Sequence, residues 1–158
     1  MIFVTVGSQK FPFERLLKKV DRLIQDQVIT EEVLMQTGVS DYVPSCPYQA
    51  FYERDAFAGH LERCDVLITH GGAGTMVRAV RQGKKTIAVP RLARYGEHVD
   101  DHQLELAKQF QKMNLLCVCL DMDLLPKALQ MVRTRQYNGF LSNTKSFIAS
   151  LDGFLGSL

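Results

Sequence analysis

The 158-residue sequence lacks any apolar run that approaches the roughly 20 residues a membrane-spanning helix needs. It also lacks a strong charge imbalance, since 19 basic and 17 acidic residues give a formal net charge of +2. No lysine- or arginine-rich run is interleaved with aromatic residues, so no sequence feature favours nucleic-acid binding. An apolar strand is predicted at residues 2–6, and we therefore expect no signal peptide.

Cysteine is scarce, and its spacing lacks the common metal and redox motifs. The four cysteines form no C-x-x-C pair, which argues against a zinc ribbon or a thioredoxin-like site. Cys117 and Cys119 lie two residues apart in an apolar run, so both are expected on one side of a strand. We interpret the cysteines as reduced thiols in a cytoplasmic protein, with a metal or redox role as the minor alternative.

The length and the patterning of apolar residues predict one α/β domain. Hydrophobic residues make up 46% and charged residues 23% of the chain, as in an ordinary soluble domain. Strands are predicted at residues 2–6, 32–37, 48–52, 66–68, 86–89 and 116–120. Helices are predicted at about residues 12–27, 55–63, 76–80, 99–112, 124–133 and 143–158, with loops at 41–47 and 91–96. This alternation predicts a single doubly wound parallel-sheet (Rossmann-like) domain with right-handed crossovers.

The most informative stretch, residues 64–75, reads C-D-V-L-I-T-H-G-G-A-G-T. An apolar strand leads through a glycine turn into an amphipathic helix. This arrangement points backbone N–H groups and the positive end of a helix at the space above the sheet, where a phosphate is stabilised. Thr75 adds a hydroxyl donor and His70 adds a side chain at the strand end. The alternative is a tight turn without a ligand.

Several other nucleotide and catalytic motifs are absent. Val77 occupies the place of the third glycine in a G-x-G-x-x-G dinucleotide fingerprint, and no G-K-[ST] follows the glycines, which excludes a P-loop. Ser8 has no G-x-S-x-G setting, so hydrolase chemistry gains little support.

The densest polar run, residues 96–103, reads G-E-H-V-D-D-H-Q. His98 and His102 are four residues apart and could share one face of a helix, as two metal ligands do. The sequence shows no evident third ligand, so metal binding is the minor interpretation. The remaining alternatives are capping of a helix by Asp100 or Asp101 and hydrogen bonding to a polyhydroxylated ligand.

Three motifs together resemble one family: T-H-G-G-A-G-T at residues 69–75, V-P-R at 89–91 and G-E-H-V-D-D-H-Q at 96–103. They resemble the UDP-sugar-binding half of GT-B glycosyltransferases. The nearest likeness is to the small subunits of split transferases, which include the cytosolic subunit of the dolichol-linked UDP-GlcNAc transferase and bacterial subunits for capsule or exopolysaccharide glycans. Residues 4–9, V-T-V-G-S-Q, resemble the opening of this domain in the peptidoglycan lipid-linked GlcNAc transferase. The resemblance extends from residue 2 to about residue 120.

The resemblance implies a role for each matching position. The residues implied near the donor diphosphate are Gly7, Ser8, His70, Gly72, Gly74 and Thr75. The residues implied near the nucleoside are Phe57 and Arg78. The residues implied near the sugar are Glu97, His98, Asp101, His102 and Gln103. Arg78 departs from the family, because many relatives carry there a glutamate that accepts the ribose hydroxyls.

The implied function is that of the donor-side subunit of a two-component glycosyltransferase. Such a subunit transfers a hexose, galactose or N-acetylglucosamine, from a UDP-sugar to a lipid-linked glycan acceptor in polysaccharide or capsule biosynthesis. It would act with a membrane-associated acceptor-binding subunit, which recruits it from the cytoplasm to the inner face of the membrane. No metal or other cofactor is expected, and no catalytic residue is assigned. The alternative is a non-catalytic or regulatory UDP-sugar-binding protein, whereas an epimerase would need a second domain.

The predicted C-terminal helix, residues 143–158, has a strongly apolar face. The apolar residues recur at spacings of three and four: Phe147, Ile148, Leu151, Phe154, Leu155 and Leu158. The sequence leaves two alternatives for this face, packing on the sheet of this domain or docking on the partner subunit.

Overall fold

The computed structural model describes residues 1–138, which form a six-stranded parallel sheet. The strands are β1 (Ile2–Thr5), β2 (Val33–Gln36), β3 (Tyr48–Gln49), β4 (Val66–Thr69), β5 (Lys85–Ala88) and β6 (Cys117–Val118). They lie in the order β3-β2-β1-β4-β5-β6, and every neighbouring pair is parallel. This is the strand order of doubly wound dinucleotide-binding sheets, so the predicted fold class is confirmed.

Within the described residues, five α-helices connect or follow the strands. They are α1 (Glu14–Gln25), α2 (Arg54–Arg63), α3 (Ala73–Arg81), α4 (His102–Lys112) and α5 (Leu125–Thr134). Two turns of 3-10 helix, Ala93–Tyr95 and Met122–Leu124, precede α4 and α5. Within residues 1–138, none of the helices has the length and apolar character needed to cross a membrane. The helix predicted for residues 143–158 lies outside the described residues.

The helices cover both faces of the sheet because the strand side chains alternate between them. Val4 and Ile68 belong to the cluster on one face, which α1 and α5 complete. Phe3 and Leu67 point to the opposite face, where Leu61 of α2 and neighbouring residues of α3 pack against them. A further cluster on α3 and α4 continues this second layer over β5 and β6. The domain therefore has three layers, with the sheet in the middle.

The observed elements differ from the predicted ones mainly at their ends. The predicted strands at residues 48–52 and 116–120 are both reduced to two residues, Tyr48–Gln49 and Cys117–Val118, at the two edges of the sheet. An edge strand forms hydrogen bonds with a neighbouring strand on one side only, so an apolar pattern alone does not determine how many of its residues pair. Helix α4 begins at His102 rather than at residue 99, because Asp100 Oδ1 accepts the His102 N–H at 3.2 Å. The predicted loop at 91–96 contains a turn of 3-10 helix.

The strand register places three chain segments at one edge of the sheet. Thr5 pairs with Thr69, and Thr69 pairs with Ala88, at the carboxyl ends of β1, β4 and β5. The strand order reverses between β1 and β4, since the chain runs outward from β1 through β2 to one edge and from β4 to the other. In an open α/β sheet, ligands bind outside the carboxyl ends at this reversal. Residues 6–8, 70–75 and 89–103 therefore converge there.

The buried carboxylate of Asp21 fastens α1 to the loop before β3. Its side chain is 1% exposed and accepts hydrogen bonds from Tyr42 Oη at 2.6 Å, Ser45 N at 2.9 Å and Ser45 Oγ at 2.5 Å. Burial opposes ionisation, but the hydrogen bonds from Ser45 and Tyr42 outweigh it and lower the pKa of Asp21. The hydrogen bond from Tyr42 to Asp21 also raises the pKa of Tyr42 to about 12. The loop position thus depends on a charged acceptor.

We expect Tyr42→Phe to lower the free energy of unfolding by about 1.5–3 kcal/mol, the usual contribution of a hydrogen bond to a charged group. Urea denaturation near pH 7 measures the loss. Tyr48→Phe is the matched control, because Tyr48 is 42% exposed on the edge strand β3 and should change stability by less than about 0.5 kcal/mol. Equal stabilities for the two variants would contradict the role given to Asp21.

Candidate functional site

The centre of the site is His70, which follows β4. The residue is 5% exposed, its N–H donates to the Thr5 carbonyl at 3.2 Å, and its Nδ1 lies 3.1 Å from Thr69 Oγ1. These contacts fix the imidazole at the junction of β1 and β4, where the strand order reverses. Nδ1 is thus engaged by the protein, and Nε2 is the ring nitrogen on the glycine side.

Two glycines make room for the imidazole. A Cβ atom built on Gly7 would lie 2.4 Å from His70 Nε2, and one built on Gly72 would lie 2.2 Å from the same atom. Gly7 also has a φ of +74°, a conformation that glycine adopts without strain. The ring therefore lies between the turns that follow β1 and β4. This contact explains why glycines occupy both positions, and it brings the predicted residues Gly7, His70 and Gly72 together.

His70 is a neutral imidazole at physiological pH. Burial is the main cause, and the nearby guanidinium of Arg91 adds to it; together they lower the pKa of His70 from 6.5 to about 3. A neutral imidazole has one N–H donor and one acceptor nitrogen. If Nδ1 accepts from the Thr69 hydroxyl, Nε2 carries the proton and can donate to an anion in the turn.

The N-terminus of α3 lies next to His70. Gly72 is the residue before the helix, and Gly74 and Thr75 belong to its first turn. The first N–H groups of a helix have no partner within the helix, and the helix dipole adds a partial positive charge there. Gly74 is exposed, and a Cβ atom built on it would meet no atom within 4 Å. An anion can therefore approach this backbone directly.

A buried cation, Arg91, forms hydrogen bonds with the segments that surround the site. Arg91 is fully buried after β5, and Nη1 donates to the carbonyls of Phe11 at 2.7 Å and Glu97 at 3.1 Å. Nη2 donates to the carbonyl of Val6 at 2.6 Å. Burial lowers the pKa of Arg91 to about 10, with the Glu97 carboxylate acting in the opposite direction, so the side chain is charged at neutral pH. Arg91 joins the segment after β1 to the segment after β5.

Glu97 forms an ion pair with Arg15 of α1. Both carboxylate oxygens are engaged: Oε1 accepts from Arg15 Nη2 at 3.0 Å and from the Leu92 N–H at 3.1 Å, and Oε2 accepts from Arg15 Nε at 3.1 Å. Glu97 is 4% exposed. The sequence predicts a sugar contact for Glu97, but the structure uses its carboxylate to hold the loop before α4 against α1.

The side chain of Gln103 is also used within the protein. It is 2% exposed, and its Oε1 accepts the Arg91 N–H at 3.1 Å. A Cβ atom built on Gly71 would lie 2.8 Å from Gln103 Cβ, so the start of α4 packs closely on the glycine turn. Gln103 therefore positions this turn from within the protein, whereas the sequence predicts that it contacts the sugar. Asp101, in contrast, is exposed, and its carboxylate accepts the Ala93 N–H at 2.8 Å.

The loop before α4 brings both of its histidines to one aspartate. His98 Nδ1 lies 3.3 Å from Asp100 Oδ1, and His102 Nδ1 forms a short contact with the same oxygen. The two imidazoles are edge to face with their centroids 4.6 Å apart. The sequence does not indicate Asp100 as a partner of the histidines. Asp100 lies midway between His98 and His102 in the chain, and its side chain can contact both only if the loop is bent, which the sequence pattern does not show.

The remaining predicted positions lie on either side of the turn. Arg78 of α3 places its guanidinium carbon 5.3 Å from the centroid of the Phe57 ring of α2, a cation–π contact. The Phe57 ring is edge-on to Phe3 at 5.3 Å. Phe57 and Arg78 are thus brought together, and Ser8 is exposed in the segment after β1.

Sequence reasoning assigns no role to two site residues, Arg15 and Arg91, and considers Asp100 only as a helix cap. Arg91 carries one signal, since it directly follows a buried strand and a proline. Arg15 carries none, because its partner Glu97 is 82 residues away in the chain.

Comparison with known proteins gives a consistent picture. The family model for the glycosyltransferase family 28 C-terminal domain matches residues 1–151. The human protein "UDP-N-acetylglucosamine transferase subunit ALG13" is 28% identical over 131 residues, which are 75% of this chain and 11% of the human protein. The protein of the same name from Yarrowia lipolytica is 33% identical over 85 residues, 52% of this chain and 41% of that protein. The chain thus spans about a tenth of the human relative.

Solved structures share the fold. An NMR structure of ALG13 superposes with a TM-score of 0.64 at 18% identity, covering 95% of this chain and 94% of that one. The crystal structure of MurG from Acinetobacter baumannii superposes with a TM-score of 0.60 at 16% identity, covering 98% of this chain and 49% of that one. At these identities the likeness concerns the fold.

We expect Gly72→Ala to destabilise the domain by about 1–3 kcal/mol, because the added methyl group would displace the buried His70 ring. Gly59→Ala in α2 is the matched control; its Cβ meets nothing within 4 Å, so it should stabilise by about 0.5–1 kcal/mol. Urea denaturation measures both. The penalty of Gly72→Ala should largely disappear in a His70→Ala background, and its full persistence there would contradict the contact.

A second prediction concerns pH. His70 has a pKa of about 3 in the folded state, against an ordinary 6.5. Between these values the unfolded state binds more protons, so stability should fall as pH decreases from about 7 towards 3. We expect His70→Gln to make the fall in urea midpoint between about pH 7 and pH 5 smaller, while His60→Gln, which alters a less buried histidine, keeps most of it. An unchanged pH dependence in His70→Gln would show that His70 is not the group responsible.

Proposed function

This chain belongs to the family of glycosyltransferase family 28 C-terminal domains, and we propose that it is the UDP-sugar-binding, donor-side subunit of a two-component glycosyltransferase. The observation that carries the proposal is the neutral His70 imidazole, held between Gly7 and Gly72 beside the open N-terminus of α3. It supplies donors for an anion at the place where doubly wound sheets bind ligands. The proposed anion is the diphosphate of the donor.

The proposed binding mode assigns one part of the donor to each segment. The diphosphate accepts hydrogen bonds from the first N–H groups of α3, from Thr75 Oγ1 and from His70 Nε2. The nucleoside lies towards Phe57 and Arg78, whose guanidinium replaces the carboxylate that many relatives use on the ribose. The sugar lies towards the loop before α4, where Asp101, His98 and His102 supply polar side chains.

The proposed transfer needs no metal at the diphosphate. As the bond from the sugar to the diphosphate breaks, negative charge grows on the leaving UDP. The helix N-terminus and the Thr75 hydroxyl stabilise this charge, and the buried Arg91 contributes a positive potential from beneath. All of these groups are held in place before the reaction by the contacts of the folded domain, so little reorganisation is required.

The relatives favour N-acetylglucosamine as the sugar. The human, mouse and Yarrowia lipolytica proteins are all named as UDP-N-acetylglucosamine transferase subunits. The word subunit in these names supports a partner, for which we propose a membrane-associated, acceptor-binding glycosyltransferase subunit. The proposed acceptor is a lipid-linked glycan at the cytoplasmic face of the membrane, and the partner would recruit this chain there. Galactose is the alternative donor sugar, and the proposed pathway is the biosynthesis of a capsule or exopolysaccharide.

We expect Gly74→Val to weaken binding of UDP at least tenfold, because its side chain would occupy the open approach to the helix N-terminus. Titration calorimetry with UDP and with UDP-N-acetylglucosamine measures the change. Thr134→Val, at the end of α5 on the other face of the sheet, is the control and should bind normally. Wild-type affinity in Gly74→Val would refute the placement of the diphosphate.

A transferase assay separates the proposed enzyme from a non-catalytic UDP-sugar-binding protein. The chain is combined with membranes that contain the acceptor-binding subunit and the lipid-linked acceptor. Consumption of UDP-N-acetylglucosamine in the combined sample, and its absence in either part alone, supports a donor subunit. Binding without turnover in the combined sample would leave the binding site but overturn the proposed catalysis.

A further inference from the structure

Three potential metal ligands converge in the loop before α4. One ligand atom from each of His98, Asp100 and His102 can be chosen so that all three lie within 4.8 Å of one another. The recorded ion-pair partners of Asp100 within residues 1–138 are the two histidines. The pair of histidines seen in the sequence thus gains a third, anionic group.

The separation of one pair of these atoms suits a common ion. Ligand atoms bound to one ion at about 2.0–2.1 Å are separated by about 3.0–3.4 Å. The separation of His98 Nδ1 and Asp100 Oδ1 is 3.3 Å, and His102 Nδ1 lies still nearer to that oxygen. Small rotations of the side chains would place one ion among the three groups.

The cluster is accessible and is held from one side. Asp100 and His102 have side chains 58% and 36% exposed, whereas the His98 side chain is 8% exposed and packs with Phe11, their ring centroids 5.9 Å apart. The His98 side chain is therefore fixed, and the side chains of Asp100 and His102 can adjust to an ion that arrives from solvent. The open side leaves positions for water.

Charges near the cluster act in both directions. The positive end of α4 and the Arg91 guanidinium oppose a cation, and the carboxylates of Asp100 and Asp101 favour one.

We propose that His98, Asp100 and His102 form a binding site for one divalent transition-metal ion of the class that accepts imidazole and carboxylate ligands, such as Zn²⁺ or Co²⁺. Two imidazoles and one carboxylate with open positions are a known donor set for such ions. The site is separate from the proposed diphosphate site, since none of its ligands comes from the glycine turn or from α3. It does not depend on the UDP-sugar assignment, because it can be tested without nucleotide.

Titration calorimetry of the untagged full-length protein with ZnCl₂, in a buffer that does not chelate zinc, tests the site. Wild type should bind one equivalent, and CoCl₂ should give a visible spectrum of nitrogen and oxygen ligation. Asp100→Asn and His102→Gln should each weaken zinc binding at least about tenfold. Both residues are partly or largely exposed, so the variants are expected to fold, which circular dichroism checks.

His60→Gln is the matched control, because it removes a histidine of α2 that lies outside the cluster and should leave zinc binding unchanged. Unchanged zinc affinity in both Asp100→Asn and His102→Gln would overturn the assignment of the ligands. Absence of zinc binding by wild type would show that the three side chains form only a hydrogen-bonded cluster. Neither result would affect UDP binding at α3, so failure here is distinguishable from failure of the proposed function.

Discussion

The candidate site depends on the buried guanidinium of Arg91, which holds the segments after β1 and β5 together. A charged group in the interior needs hydrogen bonds from the protein, and here the carbonyls of Val6, Phe11 and Glu97 accept from its two Nη atoms. The carbonyls of Val6 and Phe11 belong to the connection after β1, and that of Glu97 belongs to the connection after β5. One side chain therefore fixes the shape of the crevice and also sets its electrostatic potential.

The electrostatic consequence supports the anion site that we propose. Arg91 and burial keep His70 neutral, so the imidazole is not itself a cation at neutral pH. Positive potential comes instead from the fixed guanidinium and from the helix end, neither of which needs to change on binding. Groups that are oriented in advance stabilise a developing charge with little reorganisation, and this is the principal physical support for the proposed departure of UDP without a metal.

The loop before α4 combines a rigid and an adaptable part. Glu97 and Gln103 are buried, and their side chains hold the loop to α1 and to the backbone of Arg91. Asp100, Asp101 and His102 reach solvent from this fixed base. In the proposed enzyme the exposed residues contact a sugar or an ion, and the buried Glu97 and Gln103 determine the position of the loop that carries them. Residues 96–103 therefore include both structural and ligand-facing side chains, and the residue types alone do not distinguish the two.

The amino-acid sequence by itself determined the features that depend on local pattern. Apolar runs and helical periodicity specify the alternation of strands and helices, and the H-G-G-A-G-T stretch specifies a glycine turn between β4 and α3. The family likeness carried by this turn and by residues 96–103 follows from the same local motifs. The predicted ends of the strands at the sheet edges were less accurate, because pairing with the neighbouring strand decides how far an edge strand extends.

Only the tertiary structure decided which distant groups meet. The pair Arg15–Glu97 joins residues 82 apart, and the bond from Arg91 to Val6 joins residues 85 apart. Such contacts exist because the strand order brings β5 and β1 to either side of β4, and no local pattern encodes that order. The enclosure of His70 by Gly7 and Gly72 has the same origin, since one glycine follows β1 and the other follows β4. The sequence supplied the residue types, and the sheet topology determined their partners.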